Sequence, residues 1–204
     1  MPAKYAKVRE KEKSFFLSRL SRISRETLFM RYIALLRGIN VGGNTMIKMA
    51  DLKTSFEKLG FKSVASYINS GNLAFDAAAT SIEKLCLKIE KAIEKDFGKV
   101  IPVMVRKQAD IGKVLKNNPF EGTYDSHKLM HVLFMKEEMP KDKQELLKAA
   151  ETENEKFEVR DLEVYALLKQ GVADSLLGKG FIDRKLKVPV TGRNWRTVEK
   201  LAKL

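Results

Sequence analysis

One cysteine in 204 residues has nothing to pair with inside the chain. That excludes an internal disulfide framework and makes a reducing, cytoplasmic setting the default expectation. Two histidines, His127 and His131, make a poor metal site by themselves. No stretch approaches the roughly 18 apolar residues of a membrane span. Ser14–Leu20 is too short and too interrupted by polar residues to be the core of a secretory signal. Disorder is excluded as well, because 44% of the residues are hydrophobic.

Acidic residues are comparatively few. Against 39 Lys and Arg stand 26 Asp and Glu, a net charge of +13. Eight of the basic and three of the acidic residues fall within 1–29, so both that segment and the remainder are basic. A surplus of this size suits a polyanionic partner, nucleic acid foremost, and also serves solubility. Within 1–29, Phe16, Leu20 and Ile23 share one helical face and Arg19, Arg22 and Arg25 another, a short basic amphipathic helix. This extension reads as a membrane-surface contact, as a basic arm for nucleic acid, or as a segment outside the core that precedes a start at Met30.

From Tyr32 the pattern becomes regular. Tyr32–Arg37 is an apolar strand ended by Gly38. Met49–Leu59 is a helix with Leu52, Phe56 and Leu59 on one face. Val64–Ile68 and Leu73–Phe75 are strands around the turn Asn69-Ser70-Gly71-Asn72. Thr80 or Ser81 caps a long helix carrying Leu85, Cys86, Ile89, Ile93 and Phe97, stopped at Gly98. Val100–Val105 is the next strand. The order βαββαβ is that of a ferredoxin-like unit. After a connector over 108–127 the order restarts. Leu129–Met135 is a strand and Lys141–Ala150 a helix. Lys156–Arg160 pairs with Glu163–Leu168, a helical segment covers Ser175–Leu186, and Val188–Val190 is a short strand. A last helix spans Arg193–Leu204. The fold class is therefore α+β, two ferredoxin-like βαββαβ units with antiparallel sheets, the second less regular, plus a C-terminal helix. The divisions are 1–29, 30–107, 108–127 and 128–204. The duplication rests on element order, without a repeat at the level of residues.

Gly38-Ile39-Asn40-Val41-Gly42-Gly43-Asn44-Thr45 has the glycine spacing of a phosphate-binding loop but Asn44 where the lysine belongs. The following helix begins only near Met49, too late to meet a phosphate, and no G-x-G-x-x-G spacing is present. Nucleotide hydrolysis is excluded. Topology gives another reading: in a βαββαβ unit, Arg37–Thr45, Asn69–Asn72 and Gly98–Lys99 converge at one sheet edge. Arg37, Asn40, Asn69, Ser70, Asn72 and Lys99 then offer donors, and the glycines let backbone N–H groups approach a ligand. No histidine, cysteine or carboxylate pair joins them, so the edge reads as a binding edge and not a catalytic centre. Cys86, on the apolar face of its helix, reads as a buried structural thiol.

The segments YIALLRGINVGGNTMIKMADL, YINSGNLAF and TGRNWRTVEKL resemble, in that order, a bacterial family known only as domain of unknown function 1697, from Met30 to Leu204. The resemblance implies two ferredoxin-like halves and no established activity. Carried onto this chain, its motif positions are Arg37, Gly38, Asn40, Gly42, Gly43, Ser70, Gly71, Asn72, Arg193, Asn194 and Trp195. Asn44 and Arg196 depart from the pattern, where a basic residue and an amide are usual. Thr191 or Asn194 is a candidate N-cap, and Trp195 is either core or a stacking surface.

The sequence thus predicts a cytoplasmic binding protein for an anionic partner, nucleic acid or another polyanion, with no cofactor, no metal and no membrane span. The alternatives are a small-molecule or phosphoryl-ligand enzyme at the same edge, and a protein–protein module.

Overall fold

The computed structural model describes residues 28–41 and 45–204. The amphipathic helix expected in the N-terminal extension, and Gly42, Gly43 and Asn44, lie outside the described residues.

The first unit runs β1 (Phe29–Leu36), α1 (Met49–Lys58), β2 (Lys62–Tyr67), β3 (Asn72–Ala78), α2 (Ile82–Phe97) and β4 (Val103–Lys107). A connecting helix α3 (Gln108–Lys116) follows. The second unit runs β5 (Met130–Met135), α4 (Lys141–Ala149), β6 (Glu155–Arg160), β7 (Glu163–Leu168), one π-helical turn (Phe181–Lys185) and β8 (Val190–Asn194), with α5 (Trp195–Leu201) at the end. The two four-stranded sheets have matching orders, β2-β3-β1-β4 and β6-β7-β5-β8, with antiparallel neighbours. These are two ferredoxin-like units.

β1 and β5 are continuous apolar runs because both faces are buried. Tyr32, Ala34 and Leu36 face the core under α1 and α2. Ile33 and Leu35 face the other way, into a central core shared with Met130, Val132 and Phe134 of β5. Leu133 and Met135 turn back to the third core under α4 and the π turn. The period of two thus sorts each strand between two cores, giving helix, sheet, sheet and helix layers. Each fully buried Leu, Ile or Phe contributes about 1.5–3 kcal/mol, so the central core fastens the units together. Helices α3 and α5 close it with Ile111, Val114, Trp195, Val198 and Leu201.

Four elements differ from expectation, the first being the last helix, which is Trp195–Leu201 and not Arg193–Leu204 because Arg193 and Asn194 belong to the strand before it. The last strand is Val190–Asn194 and not Val188–Val190. Its pairing with β5 overrides the poor strand signal of Thr191-Gly192. The fourth strand begins at Val103 and not Val100, because Pro102 precedes it and Val100 is exposed. The helix expected over Ser175–Leu186 is a run of turns and one π turn, broken at Gly178 and Gly180. Ser81 is the N-cap of α2, with its Oγ accepting from Lys84 N at 3.4 Å.

Strand register corrects the absence of a residue-level repeat. Ile33 of β1 pairs with Ala74 and Arg106, and Val132 of β5 with Tyr165 and Arg193. In this alignment Ile101-Pro102-Val103 matches Val188-Pro189-Val190. Arg106 matches Arg193, and Asn72 matches Glu163. Each arginine comes just before the helix, α3 or α5, that seals the central core.

Candidate functional site

The three loops of the first unit do converge. Leu36 N donates to Gly71 O at 2.8 Å, and Arg37 N to Pro102 O at 3.0 Å. The strand that ends in Arg37 is thereby tied to the β2–β3 hairpin and to the entry of β4. Asn40 Nδ2 donates to Asn69 O (2.8 Å) and Ile47 O (2.9 Å), and its Oδ1 accepts from Ile47 N (2.8 Å). Asn40 N donates to Thr45 O at 3.2 Å, closing the base of the glycine loop. Gly38, Asn40 and Thr45 all have positive φ, near +60°. Glycine and asparagine tolerate that left-handed backbone best, so turn geometry accounts for Gly38 and Asn40 without a ligand.

The second unit supplies Arg193. Arg193 is 7% exposed, and its guanidinium lies between the sheets. Nε donates to Asn72 Oδ1 (2.5 Å). One terminal nitrogen donates to Thr191 Oγ1 (2.9 Å) and Gly192 O (2.7 Å), the other to Leu36 O and Ser70 O, both at 3.0 Å. Asn72 Nδ2 is spent on Tyr67 O and Ser70 Oγ, each at 3.0 Å. Among the described residues every partner of Arg193 is neutral. Burial lowers its pKa to about 10.

The other side of the interface repeats this arrangement with one change. Arg106 donates from Nε to Glu163 Oε1 at 2.8 Å and from a terminal nitrogen to Met135 O (2.7 Å) and Leu162 O (3.1 Å). Met135 N donates to Leu162 O, as Leu36 N does to Gly71 O. A second reciprocal pair flanks the first. Arg37 donates to Asp183 Oδ1 at 2.8 Å, and that oxygen accepts from Val190 N at 3.2 Å. Lys136 pairs with Glu90, whose Oε1 accepts from Val103 N at 2.7 Å. The units are thus clasped about a local two-fold relation. Arg106 meets a carboxylate where Arg193 meets an amide. Burial, only partly opposed by Arg106, raises the pKa of the Glu163 carboxyl.

Two motif residues take structural places. Asn194 caps α5, with its Oδ1 accepting from Thr197 N at 2.9 Å. Trp195 is 4% exposed and packs in the central core, which leaves it no open ring face for stacking. The Cys86 thiol is buried, and burial raises its pKa. Asp183 was missed in the sequence because it lies in the irregular stretch where a helix was expected. Exposed at the convergent edge are Asn69 and the apolar Val41, Met46, Ile68 and Val100, with Lys99 half-buried. Arg37 also lines a groove of about 400 Å³ between the units. Lys136, Lys143 and Lys187 share its wall with Glu137 and Glu138.

Fold and site together define a duplicated ferredoxin-like protein whose two units are clasped by buried arginines. The chain belongs to the family described as "Protein of unknown function (DUF1697)", matched over residues 30–165. The resemblance expected from Met30 to Leu204 is thus matched by the family only to residue 165, and Arg193–Trp195 lie beyond it. Among solved structures it is similar to conserved bacterial protein SP0830 from Streptococcus pneumoniae, with 27% identity and a TM-score of 0.67. That similarity covers 86% of this chain and 98% of the other. No curated protein matches. Among the described residues no helix is long and apolar enough to cross a membrane.

Proposed function

We propose that this chain is a binding protein for an anionic partner, nucleic acid foremost, at the edge formed by Arg37–Val41, Asn69–Asn72 and Lys99. One observation carries the reading: beneath this edge lies a buried guanidinium, Arg193, whose partners among the described residues are all neutral. Its field is directed at surface loops on a chain of net charge +13. An enzymatic reading at this edge has less support. It calls for a pocket closed by Arg37, Asn40, Asn72 and Arg193, and the side-chain donors of Asn40, Asn72 and Arg193 are engaged with the protein itself, while one Arg37 nitrogen is held by Asp183.

Fluorescence anisotropy with short single-stranded RNA, single-stranded DNA and duplex DNA tests the proposal. Binding is expected to survive near-physiological salt and to persist in a chain beginning at Leu28, which keeps β1 whole. Arg37→Ala is expected to lower the salt slope by about 0.7 for a single strand, the value for one lost phosphate contact. The same change should lower stability by less than about 1 kcal/mol, because the Arg37–Asp183 pair is a third exposed and screened. Binding that disappears with salt, or with residues 1–27, rejects the edge as a nucleic-acid site.

A protein-partner reading is favoured by Val41, Met46, Ile68 and Val100, all exposed at the same edge. Ile68 also holds φ +50°, unfavourable for a β-branched residue. Salt-tolerant association with a protein, and no affinity for nucleic acid, would mark that outcome.

A further inference from the structure

The local two-fold relation allows the two seams to be compared atom by atom. In both, a buried arginine from the last strand of one unit reaches the residue that opens the third strand of the other. In both, Nε makes that contact, and a terminal nitrogen meets the carbonyl that ends the first strand. Geometry, burial and backbone acceptors are shared. The difference is charge: Glu163 neutralises Arg106, whereas Asn72 leaves Arg193 a buried cation. A buried charge without a counter-ion is unfavourable by several kcal/mol relative to a paired one. The sequence has placed an amide where the other half of the same chain carries a carboxylate.

We propose that the Arg193 seam takes an oxyanion of the phosphate class as its missing counter-ion, seated on the outer side of the hairpin Asn69–Gly71, with Asn72 the residue that keeps this seat open. This rests on the anion-binding reading above and deepens it by naming the group recognised and the residue that sets its charge.

The surroundings fit that role. The hairpin backbone lies directly over the guanidinium, since Ser70 O accepts from it at 3.0 Å. Ser70 is partly exposed and its Oγ accepts from Asn72, so the hydroxyl proton points elsewhere and can donate to an anion. Asn69 is exposed, and its side chain makes no hydrogen bond among the described residues. Arg193 itself stays in place. Its hydrogen bonds are filled by the protein, so it acts through its field rather than by contact. Burial as the sole cause of its lowered pKa agrees with a cation facing no carboxylate. Phosphate oxygens can come from a nucleic-acid strand or from a free anion, and the seat recognises what the two share.

The test uses the full chain, Asn72→Asp and Glu163→Gln. Inorganic phosphate is titrated against chloride at equal ionic strength while the melting temperature is followed, and single-stranded RNA is titrated by anisotropy. Phosphate at ten times its Kd is expected to raise the wild-type Tm by about 4 °C. Asn72→Asp supplies the counter-ion internally and should weaken phosphate binding about tenfold or more. Its own stability is not the readout, because the new carboxylate loses the donation to Tyr67 O. Glu163→Gln leaves Asn72 and its hairpin untouched, and Asp161 and Asp110 still face the Arg106 seam, so its phosphate response should match the wild type's and a lost response would overturn the proposal. Parallel titrations for wild type and Asn72→Asp overturn the proposal. RNA binding that survives near-physiological salt without any phosphate response also overturns it, and leaves the nucleic-acid reading standing. A phosphate response lost in Asn72→Asp, with no RNA binding, supports the seat and rejects the nucleic-acid reading.

Discussion

Arg193→Met is expected to destabilise the protein by on the order of 4 kcal/mol. Methionine keeps most of the aliphatic volume, so the loss isolates the guanidinium. Its removal strands Asn72 Oδ1 and the carbonyls of Leu36 and Ser70 between two sheets, where water does not replace the lost donors. Hydrogen bonds to charged groups contribute about 1.5–3 kcal/mol each. Several are lost together, and part is regained because a desolvated charge disappears as well. Urea unfolding checks the value: the midpoint should fall with the slope m unchanged if the transition remains two-state. A loss below about 1 kcal/mol would show that burying the cation cancels its hydrogen bonds. Arg193 therefore makes a poor binding probe, since its replacement loosens the scaffold before it reports on a ligand.

The first unit was legible in the sequence because its signals are local. Leu52 and Phe56 repeat at helical spacing, Gly60 and Gly98 end the helices, and Asn69–Asn72 turns the hairpin. The convergence of its three loops followed from topology alone. The clasp did not, because it depends on how the halves dock. Arg193 lies 121 residues from Asn72 in sequence, and nothing near either residue indicates the other. The repeat was hidden for a similar reason. Ile101–Arg106 and Val188–Arg193 share only the apolar residue, Pro, Val and Arg, and strand register is what aligns them. The donors at the edge were expected to face a ligand. That most are used internally becomes visible only once both sheets are in place.

Gly71→Ala is expected to destabilise by about 3 kcal/mol, and through geometry rather than charge. Gly71 has φ +77°, a left-handed backbone unfavourable by roughly 1–2 kcal/mol for a residue with a side chain. A Cβ there would also lie 2.8 Å from both Leu36 Cβ and Ile39 Cγ1. Leu36 is fixed by β1, and Ile39 is 1% exposed, so neither can retreat without moving the strand end that carries Arg37. Overpacking of this kind adds about 1–3 kcal/mol. Gly38→Ala is the control. Gly38 has a similar φ, +66°, but a Cβ there meets nothing within 4 Å, so only the backbone penalty applies. The difference between the two variants, measured by urea unfolding, is the contribution of close packing between the hairpin and the end of β1. Equal losses would mean that the hairpin gives way and that the approach of Gly71 to Leu36 does not set the shape of the edge. A larger loss at Gly71 would mean that the positions of Ser70 and Asn72 over Arg193 are fixed from below, by the same contact that excludes a side chain.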